Sequence, residues 1–172
     1  MALMPPTERF RSRLLYPIHV LAVLPRTHRL GRRSAIEVSE IAAEALLLLN
    51  GEFASRAWFD SACDVAHIDP RVVLESGAPH TLVALAQAGY GVAVVPSTTP
   101  LLHRSVRGVP LLLHGASVGR WSVIAWNPQR FLAPYAERFI AELVDHVRSA
   151  YPGRDLTRRA PRLPRPKADA RR

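Results

Sequence analysis

Ser117 stands between two glycines in Gly115-Ala116-Ser117-Val118-Gly119, the pattern of a hydrolase nucleophile. That chemistry needs a strand before the serine and a helix after it, so that the hydroxyl sits on a sharp turn. A β-rich run over residues 121–126 follows instead. The glycines are therefore read as turn residues, and no catalytic residue is assigned. Gly89-Tyr90-Gly91 lies on the helix-to-strand side of its turn, whereas a dinucleotide fingerprint needs strand-to-helix, so a helix C-cap is expected there. The seven histidines are dispersed, with no pair three to five residues apart beside Cys or acidic companions. No metal site and no cofactor are expected. Cys63 is the single cysteine; it falls on an apolar helical face with no base beside it and reads as a small core residue.

Two expected helix N-termini offer more. They span residues 50–56 and 76–81. Free backbone N–H groups and the helix dipole favour an anion such as a carboxylate at such places. Ser55, Arg56, His80 and Thr81 add donors. Ordinary capping is the competing reading of the same residues.

The elements that must position these residues follow from hydrophobic periodicity. Residues 18–24 read as a strand stopped by Pro25, after a polar, proline-marked and poorly ordered segment. Ser34 with Glu37 has capping-box spacing and should open a short helix with Val38, Ile41 and Ala42 inward. Residues 45–49 form an apolar run of a strand covered on both faces. Ser55 should cap a helix to about Ala66 that presents Trp58, Phe59, Ala62, Cys63 and Ala66. Residues 71–75 read as a strand, and Pro79 suits the first turn of the next helix. Residues 92–95 are a further strand, stopped by Pro96. This alternation argues an α/β fold with a mainly parallel sheet, whose carboxyl edge binds ligands. After Pro96, residues 109–114 and 121–126 read as a hairpin-like pair. Pro134 opens a final helix with the stripe Tyr135, Phe139, Ile140, Leu143, Val144 and Val147.

Composition narrows the classes. With 172 residues, 48% hydrophobic and 22% charged, the chain suits one ordinary domain, or a domain plus a tail. A wholly disordered chain, collagen and a coiled coil are excluded. No apolar run approaches the ~20 residues that span a bilayer. A secretory signal is not expected, and the lone cysteine fits a reducing cytoplasm. The net charge of +9 is uneven: residues 1–33 carry +6, residues 34–153 carry −3 and residues 154–172 carry +6. The Arg-rich ends suggest an alternative function, non-specific nucleic-acid binding. The last 19 residues hold no aromatic, so sequence-specific single-strand binding is not expected.

Val20-Leu21-Ala22-Val23-Leu24-Pro25-Arg26-Thr27-His28-Arg29-Leu30 resembles the strand and turn that open the second subdomain of LysR-type effector-binding domains. Ala45-Leu46-Leu47-Leu48-Leu49, Phe53 and Ser55-Arg56 are similar to the next strand, ligand loop and helix of that family. Val72-Val73-Leu74-Glu75-Ser76, Thr81-Leu82-Val83-Ala84-Leu85 and Ala88-Gly89-Tyr90-Gly91-Val92-Ala93-Val94-Val95-Pro96 form the most specific stretch. The resemblance runs from about residue 18 to 149.

It implies a periplasmic-binding-protein-like (type 2) α/β fold and a role in transcription regulation without enzymatic activity. Residues 18–96 would be effector-binding subdomain II and 97–149 the returning hairpin and helix of subdomain I. Residues 1–17 would be poorly ordered and 150–172 a disordered basic tail. Ligand contacts carry over onto Glu52, Phe53, Ala54, Ser55 and Thr81. The partner would be a small-molecule effector, a carboxylate among the candidates, although Glu52 disfavours an anion close by. The family's helix-turn-helix and early subdomain I have no counterpart here, so a truncated regulator without specific DNA binding of its own is expected. Strands within 109–126 would then show unpaired edges, which favours a homo-oligomer or pairing with a full-length relative.

Overall fold

The structure is a computed structural model that describes residues 10–158 and 161–163. Its organising element is a long first strand, β1 (Arg11–Pro25), which serves two assemblies. The odd residues Leu21 and Val23 face one layer and the even residues Val20, Ala22 and Leu24 the other, all fully buried. That alternation without a polar position is the mark of a strand covered on both sides. A 3-10 turn at Arg29–Arg32 follows, then β2 (Ile36–Glu37) and the single-turn helix α1 (Val38–Ile41). The chain continues through β3 (Leu46–Leu49), α2 (Ala54–Ala66), β4 (Val72–Ser76), α3 (Pro79–Gln87) and β5 (Val92–Pro96). It then forms β6 (Val106–Leu113), β7 (Ala116–Ser117), β8 (Gly119–Trp126), α4 (Pro134–Ser149) and the short α5 (Arg154–Thr157).

The sheet runs β2-β6-β1-β5-β3-β4, with β7 on β6 and β8 on β1. The pairs β3–β4 and β3–β5 are parallel, as the alternating pattern predicts, whereas β1 is antiparallel to both β5 and β6. Leu46 and Leu48 pack with Phe59 and Cys63 on one face. Leu47 and Leu49 pack with Leu82, Val83 and Ala86 on the other. Each such leucine, fully buried, contributes ~1.5–3 kcal/mol, so these four residues fix the sheet between its two helical layers. Helix α2 ends at His67 in the left-handed region (φ 54°). Gly89 (φ 85°) follows the last turn of α3, the C-cap that the sequence predicts.

Several expectations are corrected. The first strand begins at Arg11, not Ile18, so residues 11–17 are not irregular. They are held by β8, with Arg11 opposite Trp126 and Leu14 opposite Val123; the register shifts before Pro17 and continues to His19 opposite Gly119. Residues 109–114 and 121–126 do not pair with each other. Instead β6 makes its hairpin with β7, turning at His114 and Gly115, and β8 crosses to β1. β6 therefore lies between β2 and β1 and is not an exposed edge. The short helix is capped three residues later than expected: the Glu40 carboxylate accepts from the Glu37 N–H at 3.0 Å, while Ser34 takes no part. The stripe of α4 is only partly covered. Ile140 and Val147 are buried, but Tyr135 is 80% and Phe139 60% exposed. Residues 150–158 and 161–163 are not a solvated tail: α5 forms there and Leu163 is buried. The rest of the tail, and residues 1–9, lie outside the described residues. No helix among the described residues is long and apolar enough to cross a membrane.

Candidate functional site

The carboxyl ends of the parallel strands meet at one rim. Leu48 pairs with Glu75 and Val94, and Leu49 with Ser76. The loop after β3 delivers the N-terminus of α2, the loop after β4 delivers that of α3, and residues 97–101 leave β5 beside them. The Asn50 N–H donates to the Ser76 carbonyl at 3.1 Å and ties the first two loops together.

At the start of α2 the N-cap, Phe53, has no side-chain acceptor to offer. The Arg56 N–H reaches the Phe53 carbonyl, but the N–H groups of Ala54 and Ser55 meet no acceptor among the described residues. Ser55 is only 6% exposed. At the start of α3, Ala78 likewise lacks a capping side chain, and Pro79 removes one donor. The Thr81 N–H is satisfied by the Ala78 carbonyl at 3.1 Å. The Asn50 Oδ1 is sealed from solvent without a partner. Unsatisfied donors at the positive end of a helix suit an anionic or carbonyl-bearing ligand.

The sequence-chosen residues divide. Ser55 and Ala54 sit at the donor end of α2, and Phe53 packs on the same apolar cluster as Leu82 and Leu101. Thr81 is exposed on the first turn of α3. Glu52 is exposed, with the Asn50 amide 3.4 Å from its carboxylate. Arg56 is not a free donor. Its Nη1 donates to the Leu49 carbonyl (2.8 Å) and Glu75 (2.7 Å), and its Nε to Asp60 (2.7 Å). Burial alone would lower its pKa, but the bonds and charges of Asp60 and Glu75 outweigh burial and raise it. The residue locks the β3 tip to α2 rather than facing a ligand.

A cavity of about 390 Å³ lies between residues 97–101 and residues 151–156. Leu101 and Leu156 join Phe53 and Leu82 in one apolar cluster, so rim and cavity share a floor. Sequence reasoning missed this wall because proline and arginine content hid the apolar contacts of Leu156 and Leu163.

Ser117 and Cys63 are tied into the fold. Ser117 is buried, sits on β7 with no following helix, and donates to the Pro161 carbonyl at 2.8 Å. Burial, with Asp60 and Asp64 nearby, pushes the Cys63 thiol up to about 11. No group of three metal-ligating side chains occurs among the described residues.

A family model, the LysR substrate binding domain, matches residues 1–148. The uncharacterized HTH-type transcriptional regulator YybE of Bacillus subtilis (strain 168) is 28% identical over 132 residues, 77% of this chain and 44% of that protein. The chain thus spans about half the length of the curated relatives it matches. Among solved structures, the Synechocystis PCC6803 CcmR regulatory domain in complex with 2-PG superposes with a TM-score of 0.70 at 18% identity, covering 85% of this chain and 71% of that one. The effector binding domain of QuiR in complex with shikimate gives 0.67 at 15% identity, with 87% and 71% covered. At such identities the likeness concerns the fold, the periplasmic-binding-protein-like type 2 architecture.

Proposed function

The chain belongs to the LysR substrate-binding domain family, and from that premise we propose that its strand-tip rim binds a small carboxylate effector as the sensing step of transcription regulation. The observation that carries the reading is the pair of unsatisfied N–H groups at Ala54 and Ser55, at the end of a helix whose cap residue supplies no acceptor. A carboxylate there would accept from those two groups and from the Ser55 hydroxyl. Thr81 would supply a second donor from α3, and Phe53 an apolar face. Glu52 would repel a second negative charge and accept from a hydroxyl or ammonium group, which favours hydroxy- or amino-acids over dicarboxylates.

Calorimetric titration with a panel of monocarboxylates, hydroxy-acids and dicarboxylates tests this. Ser55→Ala should weaken the best ligand about 10- to 100-fold, the cost of a hydrogen bond to a charged group. Glu52→Gln should improve dicarboxylates relative to the rest. A best ligand that tolerates Ser55→Ala and Thr81→Ala unchanged would refute the site.

The alternative of a nucleic-acid module loses ground at the N-terminal end. Arg26 donates to the Arg104 carbonyl, Arg29 pairs with Glu44 and Arg33 with Glu40. These cations are engaged within the molecule rather than gathered into a phosphate-binding face. Association with a second LysR-type domain is part of the same proposal. β4 is an edge strand, and Val72, Val73 and Leu74 on it are 38–47% exposed. An exposed apolar edge of this kind invites a partner.

A further inference from the structure

The molecule has two parts joined at a narrow waist. The body is the sheet from β2 to β4 with its helices. The other part is a two-stranded ribbon, residues 11–19 of β1 with β8, backed by α4. Strand β1 crosses between them at residues 16–19, and the chain crosses back at residues 118–120 between β7 and β8. The crossovers touch closely: Gly119 lies against the Ile18 carbonyl, where a Cβ would come within 2.2 Å. The Val20 N–H donates to the Val118 carbonyl at 2.9 Å. A two-stranded ribbon has little stability of its own, so its angle to the body depends on what spans the waist.

Residues 150–158 and 161–163 span it, and they lie beyond the family-matched residues 1–148. Tyr151 stacks on Tyr16 at the first crossover, with ring centroids 5.4 Å apart and planes 11° apart. Gly153, at φ 81°, then presses on the body: a Cβ there would sit 2.1 Å from the Ser97 carbonyl oxygen, so only glycine fits. Ser97 is itself bonded to the first crossover, its N–H donating to the His19 carbonyl (2.8 Å) and its Oγ accepting from the His19 N–H (3.2 Å). Leu156 anchors in the apolar cluster of the body. Beyond α5, the Pro161 carbonyl accepts from the Ser117 hydroxyl at 2.8 Å and the Leu163 carbonyl from the Trp121 indole at 3.4 Å. These two contacts flank the second crossover, one on the body and one on the ribbon.

We infer that residues 150–158 and 161–163 form a hinge clamp, which grips both crossovers from both sides and holds ribbon and body at one preset angle. The inference stands apart from any ligand at the rim. The clamp is specific to the segment that follows the family-matched residues, and it gives that segment a conformational role. An open clamp frees the waist; a docked clamp presets the cleft beside residues 97–101.

Amide hydrogen exchange on the full chain tests it, with Gly153→Ala and Tyr151→Ala as separate variants. The Thr157 N–H, bonded to the Gly153 carbonyl at 3.1 Å, reports whether the clamp is docked. The Val20 and Ser97 N–H groups report the waist, and the N–H groups of β3 report the body. In both variants Thr157, Val20 and Ser97 should exchange about tenfold faster or more while β3 keeps its protection, the signature of local opening. Loss of protection at Thr157 with Val20 and Ser97 unchanged would overturn the clamp. So would unchanged exchange everywhere, since the clamp would then not depend on its observed contacts. Loss of β3 protection in both variants would also overturn it, because the segment would then be part of the body's core. Gly153→Ala alone unfolding the chain leaves Tyr151→Ala to decide.

Discussion

Acid should loosen this protein through one histidine. His19 lies on β1 at the waist, 3% exposed, and its Nδ1 has no hydrogen-bond partner. Burial lowers its pKa from 6.5 to about 4, so the folded chain holds the ring neutral at pH 7. The unfolded chain takes up a proton as pH falls through 6.5, well before the folded chain does. The stability tied to the neutral ring is therefore complete above pH 6.5 and is lost as pH falls toward 4. At about 1.4 kcal/mol per pKa unit, the loss between pH 7.5 and pH 5 comes to about 2 kcal/mol, and by pH 4 to about 3. That is a large share of the ~5–15 kcal/mol of an ordinary domain. Urea unfolding at pH 7.5 and pH 5, on the wild type and on His19→Gln, measures it. The variant keeps both bonds to Ser97, because His19 makes them through its backbone. The difference between the two proteins isolates the His19 ring. The wild type should lose about 2 kcal/mol more than His19→Gln over this interval. Equal losses would refute the reasoning and mean that the ring accepts its proton without leaving the fold.

Arg56→Leu should cost about 1–3 kcal/mol in urea unfolding at pH 7, because it strands the Leu49 carbonyl, Glu75 and Asp60. Arg56→Lys should recover only part, since a point charge does not span three acceptors; a loss below about 0.5 kcal/mol for Leu would mean that solvent already satisfies these groups. Val73→Lys on the edge of β4 should leave stability within about 0.5 kcal/mol, as surface changes do, yet shift sedimentation toward the monomer. A wild type that sediments as a monomer at every concentration would remove the β4 edge as a contact.

The body of the fold is legible in the sequence because its strands carry their burial with them. Four consecutive leucines at 46–49, in an apolar run bounded by Glu44 and Asn50, have no stable placement except between two helical layers, and the structure puts two on each face. The α2 and α3 helices read equally well, from spacing and from Pro79. The N-terminal stretch of β1 does not read this way. Residues 11–13 are exposed and Pro17 interrupts them, so no local pattern marks a strand. Pairing with β8, more than 100 residues away, imposes one. β8 misled for the same reason: proximity to β6 suggested a hairpin, but the two-residue β7 takes that edge first.

The site shows the same division at finer scale. That Ser55 and the start of α2 lie at the carboxyl rim of the parallel strands follows from strand order alone, since a parallel sheet places every strand-to-helix turn at one edge. That Arg56 is spent on Glu75 does not follow, because 19 residues and a whole helix separate them in sequence. The segment after α4 is the sharpest case. Its prolines and arginines forbid a long helix and repel one another, which argues for solvation. Yet a strap needs no helix. It needs a few contacts at the right intervals, and Tyr151, Gly153, Leu156 and Leu163 supply them one at a time. Composition averages over a segment and so dilutes four anchors among charged neighbours. What decides docking is whether each anchor meets a complementary surface, and the surfaces here, Tyr16, Ser97 and Trp121, come from three distant stretches of chain that only the completed fold brings to one waist.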